Sequence, residues 1–361
     1  MSTKRLPLWL LSLRSLLGFD RPWRGPASDS FDGQRFRNLA STPHKGLRDL
    51  IRWQLERPRQ APWIAPQPAP ATPVRERVVG DELCVTYINH ATILLQLHGL
   101  NILTDPLWSK RASPFSFVGP RRYHPPGLAL DQLPPIDLVL VSHNHYDHLD
   151  LWSLRELSRR FPAARAITGL GNGELIRACG FAEVIELDWW QALPLGRDLR
   201  LHGVPVQHWS ARSRRDTDRT LWLGFVFESP QGPVLFPGDT GLGPEFRLIR
   251  ERFGPFRFAA LPIGAYEPRW FMRDHHMNPD DAAQAHQQLE AQNSMAIHFG
   301  TFRLTDEGQF DPPRDLSKAL AERGVDPGTF RTPAPGERWN VPPLATDPIG
   351  RAGQRSASAH Q

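Results

Sequence analysis

Four side chains able to bind a metal fall within six consecutive residues: His143, His145, Asp147 and His148. Imidazole nitrogen and carboxylate oxygen suit zinc and other divalent first-row metals. His143 and His145, one residue apart, can reach one ion from a single loop. Asp147 and His148 then turn toward a second ion, about 3.5–4 Å from the first in a two-metal site. A polar surface loop has no reason to carry such a density of ligands. The run Ile136 to Val141 just before them is apolar and β-branched, follows Pro134 and Pro135, and reads as a buried strand. The cluster therefore sits on a loop held by the end of a rigid sheet.

Such a centre still lacks ligands: a third imidazole for the first ion and a further donor for the second. The later chain offers candidates where strands end. His208 follows Val204 to Gln207, Asp239 follows Val234 to Gly238, and His298 follows Met295 to Ile297. Singly, each is weak. A histidine after a strand is commonly a core or surface residue, and an aspartate in Gly238-Asp239-Thr240 is ordinary turn chemistry. Their shared position at strand ends gives them weight.

The elements that must position these residues form a loop-rich, β-containing body. Leu83 to Ile88 and Thr92 to Leu97 read as paired strands, and Asn101 to Pro106 as a third. Asp150 to Phe161 and Glu174 to Cys179 read as helices, the second closed by Gly180. Further strands fall at Leu199 to Gln207, Leu223 to Glu228, Val234 to Pro237, Phe258 to Pro262 and Met295 to His298. Helices are expected at Phe246 to Phe253, Pro279 to Gln292 with Asn278 as its cap, and Leu316 to Arg323. Strands in two clusters with helices after each suggest helices packed outside two sheets.

Residues 1–30 form a basic, apolar extension, and 31–74 an arm ending in a proline-rich linker: Pro58, Pro62, Pro66, Pro68, Pro70 and Pro73. Residues 75–345 are the catalytic body, and 346–361 a tail whose Ser, Ala and Gln content suits disorder. The segment Lys4 to Phe19 is too short, and too interrupted by Arg14, to span a bilayer. An interfacial helix on anionic lipid fits it best; a secretory signal or a disordered extension are the other readings. His44 to Trp53 also has helical spacing.

Hydrophobic content of 40% and charged content of 22% belong to a soluble globular protein. The net charge of +5, with the positive charge nearly all arginine, fits an anionic partner such as a phosphate-bearing lipid surface or a nucleic acid, and equally a solvated arginine bias. No basic-aromatic module for nucleic acid is visible. Cys84 and Cys179 are too few for a disulfide framework, so a reducing, cytoplasmic setting is expected.

The cluster resembles the HxHxDH signature of the metallo-β-lactamase superfamily. Other stretches resemble one family within it, the N-acylphosphatidylethanolamine-hydrolysing phospholipases D. They include Thr104-Asp105-Pro106, Glu186-Leu187-Asp188-Trp189-Trp190, Gln207-His208-Trp209, Gly238-Asp239-Thr240-Gly241, Pro262 to Met272 and Ser294 to His298. The resemblance runs from about Phe36 to Gly336, and Pro262 to Met272 is its most diagnostic part. It implies a four-layer αββα sandwich holding two zinc ions. His143, His145 and His208 would hold one ion, Asp147, His148 and His298 the other, with Asp239 bridging. It further implies an active-site role for His276, a phospholipid substrate, peripheral association with a membrane surface, and a homodimer.

Two such ions bring the pKa of a shared water toward neutrality, so a bridging hydroxide would attack phosphorus in line. Asp147 orients it, and His276 protonates or hydrogen-bonds the leaving group. The expected products are N-acylethanolamine and phosphatidic acid. The same donors suit a lactonase or another phosphodiesterase, and iron or manganese as well as zinc.

Overall fold

The computed structural model describes residues 7–18, 23–43, 45–58, 61–65, 73–196 and 198–345. The tail 346–361, Pro66, Pro68, Pro70 and His44 lie outside the described residues. Two helices come first, α1 (Leu8–Leu16) and α2 (Leu47–Glu56). The body opens with β1 (Leu83–Asn89), β2 (Thr92–Leu97), β3 (Leu100–Thr104) and β4 (Leu138–Val141). It continues with α3 (Leu151–Arg160), β5 (Arg165–Gly169), α4 (Gly173–Cys179) and β6 (Val184–Leu187). The second half contains β7 (Ala192–Pro194), β8 (Arg200–Val204), β9 (Gly224–Glu228), β10 (Val234–Phe236), α5 (Glu245–Phe253) and β11 (Phe258–Pro262). After these come α6 (Arg269–Met272), α7 (Pro279–Gln288), β12 (Ser294–Ile297), α8 (Asp311–Arg323), β13 (Phe330–Arg331) and β14 (Arg338–Val341).

The strands make two sheets, in the orders β14-β1-β2-β3-β4-β5-β6 and β13-β12-β11-β10-β9-β8-β7. The β1–β2–β3 meander is antiparallel, whereas β3 to β6 run parallel, with Ile102 opposite Leu138 and Leu138 opposite Arg165. Period-two alternation sorts the side chains into layers. Leu138 and Leu140 of β4 face the core between the sheets, while Val139 and Val141 face α3 and α4. On the other sheet, Phe258 and Ala260 enter the same inner core, and Ala259 and Leu261 pack against α5, α7 and α8. This is the expected αββα sandwich.

Three boundaries differ from expectation for local reasons. Helix α8 begins at Asp311, not Leu316, because Pro312 and Pro313 occupy its first turn, where no intrahelical N–H is needed. Helix α7 stops at Gln288, since Glu290 takes a left-handed φ of 46° and Ala291 N–H closes back on the His286 carbonyl. Strand β8 ends at Val204, and Pro205 cannot extend it.

The N-terminal segments are built into the body. Helix α1 buries Leu11 against the α3–α4 layer, and Phe31 and Phe36 sit in the core between the sheets. The two cysteines are buried and unbridged.

Candidate metal centre

The C-terminal end of β4 delivers the dense loop, and its geometry is fixed from both ends. Asp150 caps α3 by accepting from Ser153 N–H, while Leu149 N–H returns to the His145 carbonyl at 2.8 Å. Arg212 Nη1 donates to the carbonyls of Asn144 and Leu149, at 2.8 and 2.9 Å, bracketing the ligand-bearing turn. The ends of β8, β10 and β12 then bring His208, Asp239 and His298 to the same point.

All seven residues expected as ligands converge. His143 Nε2 lies 2.9 Å from His145 Nδ1, and His208 Nε2 lies 3.2 Å from that same atom. On the other side, His148 Nε2 and His298 Nε2 lie 3.1 and 3.0 Å from Asp239 Oδ2. Asp147 Oδ2 faces the same two nitrogens at 3.5 and 3.3 Å. Asp239 Oδ2 also stands 3.9 Å from His208 Nε2, so it lies between the two groups of histidines, as a bridge must.

The rings are aimed by their opposite nitrogens, the usual arrangement around a bound metal. His208 Nδ1 donates to the His275 carbonyl (2.9 Å) and His148 Nδ1 to Asp105 Oδ2 (2.6 Å), leaving each Nε2 for the centre. His143 Nδ1 meets Ser142 Oγ at 2.9 Å, and that hydroxyl donates to Asp105. Asn38, on the N-terminal arm, accepts from His208 N–H and donates to its carbonyl.

The electrostatics favour a bound cation. Burial lowers the basicity of His143 and His208 well below the ordinary imidazole range, the neutral state in which imidazole binds a metal. Burial also disfavours a charged His148, yet Asp239, Asp147 and Asp105 together push its pKa well above that range. The Asp147 and Asp239 carboxyls are likewise held well below theirs, because His148 and its neighbours outweigh the burial that opposes ionisation. Three carboxylates around one ring, Asp105 and Asp239 buried and Asp147 partly so, call for positive charge. Imidazole nitrogens facing one another at about hydrogen-bond distance have no proton arrangement that satisfies all of them, and among the described residues His148 Nε2 and Asp239 Oδ1 have no hydrogen-bond partner. A divalent ion resolves both problems, so the donor set fits the metal its chemistry implies.

The centre opens onto a groove of about 720 Å³ whose lining includes Asp147, Asp239 and His276. One wall is apolar: Leu47, Leu50 and Trp53 of α2 face Phe271, Met272 and Leu304. Trp53 is anchored against Phe271, ring centroids 5.0 Å apart, and through its indole N–H to Asp306. His276 Nδ1 stands 3.9 Å from Asp239 Oδ2, and burial pushes its pKa down to about 3, leaving a neutral ring.

Three contributors were not named as site residues from sequence. Asp105 lay within the resembling Thr104-Asp105-Pro106 stretch, but with no role attached. His90 hydrogen-bonds Asp147 (3.0 Å) from the β1–β2 turn, and Arg212 holds the ligand loop. None stands near the cluster in sequence; Asp105 is signalled by the resembling stretch that holds it, and His90 and Arg212 only by their place at a turn.

Residues 100–299 match a family profile described as the beta-lactamase superfamily domain. The chain is 40% identical over 270 residues to N-acyl-phosphatidylethanolamine-hydrolyzing phospholipase D 1 of Caenorhabditis elegans, covering 72% of this chain and 76% of that protein. It is 38% identical over 295 residues to an uncharacterized protein of Mycobacterium tuberculosis, covering 80% and 77%. Among solved structures, the isothiocyanate hydrolase from Delia radicum gut bacteria aligns with a TM-score of 0.56 at 21% identity, over 71% of this chain and 98% of that one. A metallo hydrolase from Ignicoccus hospitalis gives 0.54 at 22% identity, over 72% and 98%. The structural likenesses establish the fold, and the sequence relatives carry the assignment further. This chain is a metal-dependent hydrolase and belongs to the N-acylphosphatidylethanolamine-hydrolysing phospholipase D family of the β-lactamase superfamily.

Proposed function

We propose that the protein is a phosphodiesterase of the phospholipase D type that holds two zinc ions. It would hydrolyse N-acylphosphatidylethanolamine to N-acylethanolamine and phosphatidic acid at a membrane surface. The observation carrying this reading is the pairing of a two-lobed His/Asp centre with a groove that has one apolar wall. A polar phosphodiester would lie over the centre while its acyl chain runs along α2.

His143, His145 and His208 would hold one ion, and Asp147, His148 and His298 the other, with Asp239 shared. When bound, the ions supply positive charge for the phosphoryl oxygens and a water of lowered pKa. The chain's part is positioning. Asp147, whose side chain is partly open to the groove, accepts a hydrogen bond from the attacking water and aims it at phosphorus. The new bond joins water oxygen to phosphorus, the bond from phosphorus to the ethanolamine oxygen breaks, and the water's proton passes to that leaving oxygen. His276 is neutral, and its Nδ1 has no hydrogen-bond partner among the described residues. It acts by hydrogen bonding the substrate rather than by holding a stored proton.

Two exposed ridges support the membrane part of the proposal. Leu47, Ile51 and Leu55 follow one another at four-residue spacing along α2, beside the groove, and are 61, 51 and 82% exposed. Trp9, Leu13 and Leu17 form a similar ridge on and just after α1. No helix among the described residues is long and apolar enough to cross a membrane. A homodimer belongs to the same proposal, supported by the family resemblance and testable by analytical ultracentrifugation.

The test gives zinc-loaded protein vesicles containing N-acylphosphatidylethanolamine and reads the products by mass spectrometry. N-acylethanolamine release that is lost in Asp147→Asn supports the reading. Opening of lactones with no phospholipid turnover would sink the substrate assignment.

A further inference from the structure

His90 stands in the tight turn between β1 and β2 with three features that ordinary packing does not call for. Its backbone is left-handed, φ 47°, a conformation non-glycine residues enter at a cost that is concentrated at functional sites. The residue is 1% exposed, yet its Nδ1 meets no hydrogen-bond partner among the described residues. Among the described residues its side chain makes one hydrogen bond, from Nε2 to Asp147 Oδ2 at 3.0 Å. A carboxylate oxygen only accepts, so Nε2 carries the proton and donates it.

The surroundings leave the ring little freedom. The His90 N–H donates to Thr301 Oγ1 (2.9 Å), and its carbonyl accepts from the N–H of His298 (2.8 Å). The ring lies against His298, centroids 4.0 Å apart, and meets Phe302 edge-on at 5.3 Å. The backbone of His90 therefore also braces one of the histidines in the second half of the centre.

We infer that His90 is a positioning residue that commits Asp147 to the second metal ion through one oxygen. Oδ2, which accepts from His90, is the oxygen facing the Nε2 atoms of His148 and His298. A hydrogen bond on that oxygen fixes the carboxylate plane and draws off part of its charge, as outer partners of metal-binding carboxylates do. The other oxygen is then left for the groove, where the attacking water must be held. The left-handed turn and the bare Nδ1 are what the fold accepts to aim one N–H. His90 lies within 4.8 Å of the other donor atoms of this half, but it differs from His148 and His298: their Nε2 atoms also meet Asp239 Oδ2, at 3.1 and 3.0 Å, whereas the Nε2 of His90 pairs with Asp147. This inference rests on the two-ion reading.

The experiment measures metal content after equilibration against buffered zinc, together with the absorption bands of the cobalt-substituted protein, for wild type, His90→Phe and His90→Gln. Glutamine keeps an N–H donor at similar reach; phenylalanine keeps the ring without one. Wild type should bind two ions. His90→Phe should hold the first tightly and bind the second about 10–100-fold more weakly, with the cobalt bands of one site lost. His90→Gln should return the second affinity to within a few-fold of wild type. Where the phenyl ring unfolds the metal-free chain, His90→Met replaces it as a donor-free variant close to glutamine in length. Two ions retained at unchanged affinity in the donor-free variant would overturn the inference. So would a His90→Gln affinity as low as that of His90→Phe, which would mean that the imidazole itself is a ligand or a packing piece. Only one ion in wild type would instead overturn the two-ion reading beneath it.

Discussion

Asp105 is not among the residues assigned to either ion, yet it holds the centre together. One carboxylate accepts from Ser142 N–H at 2.7 Å, from Ser142 Oγ at 2.6 Å and from His148 Nδ1 at 2.6 Å, with no exposed surface. Replacing it with alanine strands three buried donors beside the ligand loop. Asp105→Ala is expected to cost about 3–5 kcal/mol in urea unfolding and to weaken metal binding about 10–100-fold by competitive chelation. The seven candidate ligands were legible in the sequence because metal chemistry demands a particular density and type of side chain. His143 to His148 meet that demand within one loop. Asp105 and His90 were not, since an aspartate before a proline or a histidine after a strand is everyday turn chemistry. Only the folded register shows what they touch.

Elements carry the second level of control. Arg212 clamps the ligand loop through two carbonyls, stacks over Tyr146 at 4.0 Å, and accepts the Tyr146 hydroxyl on its own carbonyl. Its Nε donates to Ser15 of α1, so the N-terminal helix is tied to the back of the centre. Arg212→Lys keeps the charge and loses the fork; turnover should fall at least about tenfold, with a unfolding cost of about 1–3 kcal/mol read by denaturant titration. Helix α5 offers a pH test away from the metal. Glu245 is 1% exposed, neither carboxylate oxygen has a hydrogen-bond partner among the described residues, and burial raises its pKa. A carboxyl with a raised folded pKa binds more protons folded than unfolded, so stability falls as pH climbs from the unfolded value through the folded one. Glu245→Gln should therefore raise the melting temperature at pH 7 and lose that advantage near pH 4, a crossover that calorimetry resolves. Amphipathic spacing gave most helices and strands here, but β5, β6, β7, α6, β13 and β14 escaped notice. All are five residues or shorter, and Glu186 within β6 turns its carboxylate to the backbone of Gly171 and Gly173. Composition alone does not show that such a charge has partners.

At the scale of the whole molecule, the sandwich places β4, β8, β10 and β12 so that their following loops meet at one edge, and α2 walls the groove there. The αββα architecture was legible through clustered strands and the resemblance to a known family. The docking of the N-terminal segments was not, because burial of Phe31 and Phe36 between distant strands leaves no periodic trace in so irregular a stretch. The exposed ridge on α2 predicts a separation of activities. Replacing Ile51 and Leu55, which lie on the ridge outside the groove lining, together with aspartate should reduce vesicle binding and vesicle hydrolysis at least about tenfold. Hydrolysis of a short-chain substrate below its micellar concentration should remain within a few-fold of wild type. Equal loss on both substrates would place the ridge inside the catalytic groove's function rather than at a lipid surface.

The most direct measurement runs the zinc-loaded protein on N-acylphosphatidylethanolamine vesicles in water enriched in oxygen-18 and weighs both products. Attack on phosphorus with the ethanolamine oxygen leaving predicts one heavy oxygen in phosphatidic acid and none in N-acylethanolamine. No turnover by a protein shown to hold two ions, or heavy oxygen in the N-acylethanolamine hydroxyl, would contradict the account.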